Sequence, residues 1–400
     1  MPTNWADVNI ANLSQEQLKF LQEIYDHPSE TKLLQGVAGS GKTLVAAFAL
    51  AKLQSNQNIG LLVFTNMHEQ YISQNFRDRS VSLAVDHYHS WINKHPIPKK
   101  DIFIVDEAQD FKKDWIENVK SNSQSQIWIG DIQQQIYSDA RNDHGFIDEV
   151  ISIKASQKTV FKVNYRNSLK IARFASNFIT VTNEELALGV TREIKSDDFI
   201  TSMLRVNRKR NESPVTLIKA ESIEQEYKTI IKLIQQIQNN KKLKSRRIAI
   251  AHMLYRNERH INDISVDRIS EELTKEGISH YRRDRNSFSL TGLDFNDDNL
   301  IVVSTISGLK GLEFDYIFFP HSEYASLFGD PIIRDNLLFV LFTRARQSVY
   351  CSYVDEQASY VWDRIKDQKA LDYIEKIDAK DILNPPTDNS SSTSLNTINI

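Results

Sequence analysis

Gly36-Val37-Ala38-Gly39-Ser40-Gly41-Lys42-Thr43 is the stretch on which the fold turns, because it fits G-x-x-x-x-G-K-[ST]. A loop of this kind joins a strand to a helix and cradles phosphate. Its glycines let backbone N–H groups face phosphate oxygens with no Cβ in the way. Lys42 reaches the β- and γ-phosphates as a compact positive charge, and the Thr43 hydroxyl is a ligand for Mg2+. The positive end of the following helix adds to the field on the anion. The flanks agree. Lys32 to Gln35 reads as a short strand, and Leu44 to Leu53, rich in Ala and Leu, reads as a helix. All eight loop residues are therefore expected to surround a nucleoside triphosphate.

Outward from the loop, short apolar runs alternate with longer helical stretches, the pattern of parallel sheets flanked by helices. Strands are expected at Gly60–Phe64, Ile102–Val105, Ile127–Gly130, Val160–Val163, Val215–Lys219, Ile248–His252, Leu300–Ser304, Tyr316–Phe319 and Val349–Tyr353. Their β-branched and aromatic character suits burial on both faces. In Ser222 to Ile237, the residues Ile223, Tyr227, Ile230, Ile231, Ile234 and Ile237 recur at helical spacing as a core stripe, with Ser222 as N-cap. Four hundred residues suggest two domains. The expected division is an N-terminal lobe over 1–150, a C-terminal lobe over 151–380 and a disordered Pro/Asn/Ser/Thr-rich tail over 381–400.

Composition narrows the setting. Forty-nine basic against 52 acidic residues give a net charge of −3, which excludes a generally basic nucleic-acid coat but not a local basic groove. The single cysteine, Cys351, forbids an internal disulfide and points to a reducing interior. The start, Met-Pro-Thr-Asn-Trp-Ala-Asp, lacks the layout of a signal peptide, and no apolar run approaches a membrane span. A cytosolic enzyme with no membrane partner is the expectation.

Ile102-Phe103-Ile104-Val105-Asp106-Glu107-Ala108-Gln109-Asp110 is a buried strand ending in two carboxylates. Downstream of a phosphate loop, the strand-end Asp106 holds Mg2+ and the adjacent Glu107 orients or deprotonates the attacking water. With this stretch in hand, the chain resembles the UvrD/Rep/PcrA-type helicases of superfamily I over most of residues 10–355. Leu13-Ser14-Gln15-Glu16-Gln17 looks like the adenine-reading Q motif with Gln17 as reader, although Ser14 and Gln17 also form a capping box. Phe64-Thr65-Asn66 and Tyr88-His89-Ser90 resemble single-strand contact motifs. Gly130-Asp131-Ile132-Gln133-Gln134-Gln135-Ile136-Tyr137 is similar to GDxxQxIY, which implies a γ-phosphate sensor at Gln134 and a nucleic-acid neighbour at Tyr137. Asn164-Tyr165-Arg166 resembles NYR, with Tyr165 stacked on adenine and Arg166 on the γ-phosphate. Gly308-Leu309-Lys310-Gly311-Leu312-Glu313-Phe314 is close to KGLEF, with Glu313 on the ribose, and Val340-Leu341-Phe342-Thr343-Arg344-Ala345-Arg346 is like VALTRAR, with Arg344 as a second arginine finger.

The resemblance thus implies two RecA-like P-loop NTPase lobes, ATP and Mg2+ as cofactors, and single-stranded nucleic acid as partner, DNA in preference to RNA. In that scheme Lys42 belongs to the first half, and Arg166 and Arg344 to the second. Departures from the pattern matter. Only Trp91 to Lys100 separate Tyr88-His89-Ser90 from the carboxylate strand, too few for the family's first accessory subdomain. Tyr281 to Asn299 leaves room for a loop or hairpin where the second belongs. After Tyr137 the chain reads Ser138-Asp139-Ala140-Arg141, without the stacking aromatic common in the family; Phe64, Tyr88, Trp91 and Tyr137 are the rings that compensate, Trp91 being equally suited to the core. Lys241 to Arg247, Arg205 to Arg210 and Arg282-Arg283-Asp284-Arg285 either follow a phosphate backbone or are solvated ends. His87, His89 and His95 read as packing and hydrogen-bonding residues rather than a metal set. Two functions remain: a motor with limited unwinding, or a nucleotide-gated subunit of a larger complex, with a nuclease as a candidate partner.

Overall fold

The computed structural model describes residues 10–77, 84–137, 154, 157–179, 204, 213–253, 266–283, 292–327, 329–355, 359–366 and 372–385. The Ser138 to Arg141 run, the Arg205 to Arg210 cluster, Asp284, Arg285 and positions 386–400 of the expected tail lie outside these residues. The chain divides into two compact units. One comprises Met1–Arg166, Ile179–Asn207 and Lys310–Leu312; the other comprises Asn167–Phe178, Arg208–Leu309 and Glu313–Ile400. Both are RecA-like lobes, α/β with a parallel sheet and flanking helices.

The first unit contains β1 (Lys32–Gly36), β2 (Ile59–Val63), β3 (Val85–His87), β4 (Lys100–Val105), β5 (Ser123–Gly130) and β6 (Lys158–Phe161), in the sheet order β3-β2-β4-β5-β1-β6. Every neighbouring pair is parallel. Parallel neighbours need crossovers, supplied by α2 (Lys42–Leu53), α3 (Asn66–Arg77), α4 (Tyr88–Ile92) and α5 (Lys113–Ser121), while α1 (Gln15–Asp26) precedes β1. With helices on both faces, β2 buries every residue and the carboxyl halves of β4 and β5 are buried throughout. Phe103, Trp91 and Trp128 anchor one face of this core. The first sheet continues past residue 150, the expected lobe boundary, because β6 pairs with β1 from Leu33↔Lys158 to Gly36↔Phe161.

The second unit carries β7 (Val215–Lys219), β8 (Ile248–His252), β9 (Tyr281–Arg282), β10 (Ile301–Thr305), β11 (Phe314–Phe319), β12 (Ala345–Tyr353) and β13 (Ile374–Asp378), in the order β13-β7-β12-β11-β8-β10-β9. Its helices are α6 (Leu169–Ser176), α7 (Ile223–Asn239), α8 (Val266–Lys275), α9 (Pro331–Phe342), α10 (Tyr360–Ile365) and α11 (Ala379–Leu383). α7 starts where the sequence places it: the Ser222 side chain accepts from Gln225 N at 3.2 Å, and Tyr227, Ile230, Ile231, Ile234 and Ile237 are buried. α11 crosses position 381, the expected start of the tail, because Ile382 packs into the core.

Three strands lie outside the sequence expectation: β3, β9 and β13. All are sheet edges, where fewer neighbours bury the strand and the sequence keeps polar residues such as Asp86, Arg282 and Glu375. The Gly60–Phe64 expectation shifts by one residue, so Phe64 leaves the sheet and stands on the connection to α3. Among the described residues, no helix is long and apolar enough to cross a membrane.

Candidate active site

Strand order explains how residues distant in sequence meet. β4, β5, β1 and β6 are consecutive neighbours, so their carboxyl ends present Asp106, Asp131, the phosphate loop and Asn164-Tyr165-Arg166 along one edge. The loop needs its glycines. Gly39 and Gly41 hold φ of +73° and +85°, and Gly41 is the left-handed N-cap of α2. A Cβ on Gly39 would lie 2.5 Å from Asn164 Oδ1, and one on Gly41 would lie 2.5 Å from Gln17 Nε2. Loop and flanks are further tied by Val37 N donating to Phe161 O at 3.2 Å and Tyr165 N donating to Gly39 O at 2.9 Å.

Gln17 performs the capping role in full. Its Oε1 accepts from Ser14 N at 2.8 Å while Ser14 Oγ accepts from Gln17 N at 3.2 Å. Its Nε2 donates to Ser40 O at 2.8 Å, which ties α1 to the phosphate loop. Lys42 Nζ donates to Gly36 O at 2.6 Å and Val37 O at 3.2 Å, and lies 4.0 Å from Asp131 Oδ2. Burial holds its pKa below the ordinary lysine value, against the pull of Asp131, Glu107 and Asp106.

The carboxylates form one buried cluster. Asp106 accepts from Glu107 N at 2.9 Å and from the Thr43 hydroxyl. Burial, then the charge of Glu107, pushes Asp106 up to about 7. Glu107 adopts φ +55°, a left-handed conformation that costs a non-glycine residue on the order of 1–3 kcal/mol and is typical of functional sites. Gln109 Nε2 donates to Glu107 Oε2 at 2.6 Å, and Gln109 Oε1 accepts from Asp131 N at 3.1 Å. Gln134 Nε2 donates to Asp131 Oδ2 at 2.6 Å. Burial raises Asp131, opposed by Lys42, and pushes Asp110 up to about 6, opposed by Lys310.

Gln109, Asp110, Asp131, His68 and Lys310 had no assigned role in the sequence. Position within the quoted motifs was the available signal for all but His68, which only the fold brings 3.9 Å from Asp106 Oδ2.

These residues fit a divalent cation. Asp106 Oδ2 is buried with no hydrogen-bond partner among the described residues, and the Thr43 hydroxyl stands beside the same carboxylate. No group of three or more His, Cys, Asp or Glu among the described residues is arranged to hold a metal. Mg2+ suits such a sparse site, since it takes one or two carboxylates plus phosphate and water.

Arg166, expected from the second half, is counted with the first unit: its N donates to Asn164 Oδ1 at 3.1 Å and its charge reaches Lys42. Arg344 and Glu313 belong to the second unit. There Arg344 is buried, with Nε donating to Val340 O at 3.0 Å, and Glu313 Oε1 accepts from Arg346 Nη1 at 3.3 Å.

The nucleic-acid candidates collect in the first unit. Phe64 and Tyr137 rings lie 4.6 Å apart, and Phe64 is 5.9 Å from Trp115, a residue the sequence did not single out. Tyr88 stacks on Trp115 at 4.3 Å, and His89, exposed, meets the Trp115 edge at 4.8 Å. Tyr88 and Trp91 are themselves core, so the half-buried rings available to a base are Phe64, Tyr137 and Trp115. Thr65 Oγ1 accepts from His68 N at 3.2 Å, capping α3, with Asn66 half-buried beside it. His87 is engaged by Glu69, with Nδ1 2.5 Å from Oε2.

Residues 29–319 match the family described as Schlafen group 3, DNA/RNA helicase domain, and residues 300–351 match the UvrD-like helicase C-terminal domain. Together these spans contain every candidate site residue except Gln17. No curated protein matches the chain. Among solved structures, the crystal structure of Arterivirus nonstructural protein 10 (helicase) is similar at a TM-score of 0.41 and 10% identity, over 85% of this chain and 64% of that one. The chain thus spans 64% of the length of that structure. Because the first match runs over most of the chain and takes in the phosphate loop, the carboxylate strand and the KGLEF-like stretch, the chain belongs to the Schlafen group 3 DNA/RNA helicase-domain family, with a stretch at 300–351 similar to the UvrD-like helicase C-terminal domain.

Proposed function

We propose that this chain hydrolyses ATP with Mg2+ and uses the cycle to move along single-stranded nucleic acid, DNA in preference to RNA, with limited unwinding. The observation that carries this reading is the gathering of Lys42, Asp106, Glu107, Gln134 and Arg166 at the carboxyl ends of four adjacent strands. Residues 36–43 bind the phosphates, with Lys42 on the β- and γ-oxygens. Gln17 and Tyr165 hold the adenine, and Glu313 the ribose. Asp106 and Thr43 hold Mg2+, which when bound neutralises phosphate charge. Glu107 takes the proton of the attacking water, Gln134 senses the γ-phosphate, and Arg166 and Arg344 stabilise the charge that develops on it. Phe64, Thr65, Asn66, His89 and Tyr137 contact the strand. Base–aromatic stacking contributes about 1–3 kcal/mol per base. A cytoplasmic setting suits a chain whose one cysteine is a buried free thiol.

A second reading rests on α4 being followed directly by residues 93–99 and then β4. No accessory subdomain intervenes there, which favours a nucleotide-gated subunit of a larger assembly, a nuclease-containing one among them, without unwinding of its own. Steady-state ATPase activity with single-stranded DNA, RNA and duplex separates the two. Strong stimulation by one single-stranded polymer, lost in Glu107→Gln, supports the motor. Turnover that rises only with a protein partner supports the switch. Unchanged turnover in Lys42→Ala would sink the nucleotide-site assignment itself.

A further inference from the structure

Lys310 lies 200 residues from Asp110 in sequence, yet its ammonium contacts Asp110 Oδ2, donates to Gln134 O at 2.5 Å and sits 3.4 Å from Glu107 Oε2. Its side chain is 1% exposed. An ammonium has three donors and no acceptor, so a buried one must spend all three on fixed partners, and here three acceptors surround it. The neighbours show that this is a fitted contact. Gly311 holds φ +82°, and a Cβ on it would lie 2.5 Å from the His68 ring, which is itself 3.9 Å from Asp106 Oδ2. The dipeptide Lys310-Gly311 therefore touches Glu107 directly and Asp106 through His68. Lys310–Leu312 is counted with the first unit although Leu309 and Glu313 are counted with the second.

Lys310 and Gln109 approach the same oxygen of Glu107, Oε2, from positions 201 residues apart in sequence: Lys310 at 3.4 Å and Gln109 Nε2 at 2.6 Å. A carboxylate gripped at one oxygen by two donors has its plane and direction set. We propose that Lys310 is a positioning residue for hydrolysis: it orients Glu107 toward the attacking water and fixes the Gln134 main chain in register with it. This assignment rests on the hydrolytic reading above. A structural role for Lys310, confined to neutralising Asp110, is the competing account, and the two differ in what a double substitution does.

The test compares the full chain with Lys310→Met and with Lys310→Met/Asp110→Asn. It measures ATPase kcat and KM, affinity for a fluorescent, non-hydrolysable ATP analogue, and the urea unfolding midpoint. The amide introduced by Asp110→Asn keeps an oxygen for Ile136 N, which donates to Asp110 Oδ1 at 3.3 Å. In Lys310→Met, kcat falls about 100-fold, the cost of a misplaced reacting group, while KM and analogue affinity hold. In the double variant the unfolding midpoint recovers, because no carboxylate is left buried and unpaired at this position, and kcat stays low. If kcat returns with stability in the double variant, Lys310 is structural and the proposal is overturned. The double variant decides even where Lys310→Met alone does not fold. Wild-type turnover matched by Lys310→Met overturns the Lys310 assignment alone. A wild type that binds the analogue and turns over no ATP overturns the hydrolytic reading and this assignment together.

Discussion

Gly39 and Gln17 show how single residues hold the phosphate loop. A methyl on Gly39 would both strain a φ of +73° and strike Asn164 Oδ1, which is bonded to Arg166 N. Gly39→Ala should therefore destabilise the chain by about 1–3 kcal/mol, the cost of a side chain forced into that region, and weaken nucleotide binding, read by urea unfolding and analogue titration. Gln17→Ala loses both the capping box and the Ser40 tether; the cap alone is worth about 0.5–2 kcal/mol. If Gln17 only caps, that variant keeps the wild-type ratio of ATP-analogue to GTP-analogue affinity. If it also reads adenine, the preference for the adenine base disappears. The motif at 13–17 was legible in the sequence, yet its two functions could not be separated there, because both need the same amide. The structure shows the amide engaged at both ends within the protein.

At the scale of elements, the carboxyl ends of β8 and β11 enclose a second buried polar group in the second unit. His321 Nδ1 lies 2.6 Å from Glu226 Oε2, and its Nε2 is 2.8 Å from the Tyr227 hydroxyl. Burial, then the charge of Glu226, pushes Glu323 up to about 7 from an ordinary 4.5. A carboxyl with a raised folded-state value contributes stability that is full below the unfolded value and lost as pH rises through the folded one. Glu323 should thus make the chain less stable between about pH 4.5 and 7. Burial holds His252 down to about 3, so His252 acts with the opposite sign over part of the same range. The reading is therefore the difference: Glu323→Gln should flatten the fall in unfolding midpoint from about pH 5 to 7.5 relative to wild type. At the opposite, amino ends of β11 and β12, Arg346 pairs with Glu313 at 3.3 Å and Asp315 at 3.0 Å, all of them buried or nearly so. Arg346→Met should cost about 3–5 kcal/mol, as expected when one partner of a buried pair is removed; a loss below about 1 kcal/mol would mean the pair is solvated.

For the whole molecule, the sharpest expectation concerns Arg344. If it acts as an arginine finger, Arg344→Ala should lower kcat by about 1,000-fold while leaving analogue affinity in place. Its bond to Val340 O makes some loss of stability certain, so the kinetics must be taken below the unfolding transition. A kcat within about tenfold of wild type would remove Arg344 from the catalytic set. The same assay with single-stranded and duplex polymers decides whether a chain with seven residues between α4 and β4 is a motor by itself.

The phosphate loop, the carboxylate strand and the order of the helicase-like motifs were fully written in the chain, because phosphate chemistry demands particular residue types at short, fixed spacings. The parallel α/β class was equally legible, since strands buried on both faces must be apolar throughout. Edge strands escaped notice for the converse reason: β3, β9 and β13 are covered on fewer sides and keep polar residues. The convergence of Gln109, Asp131 and Lys310 around Glu107 was decided by tertiary structure alone. Strand pairing sets which carboxyl ends lie side by side, and the loop between β10 and β11 brings Lys310 to Asp110 from 200 positions away in sequence. No local pattern of hydrophobicity or charge encodes that neighbourhood, so the identity of a buried partner emerges only once the sheet is assembled.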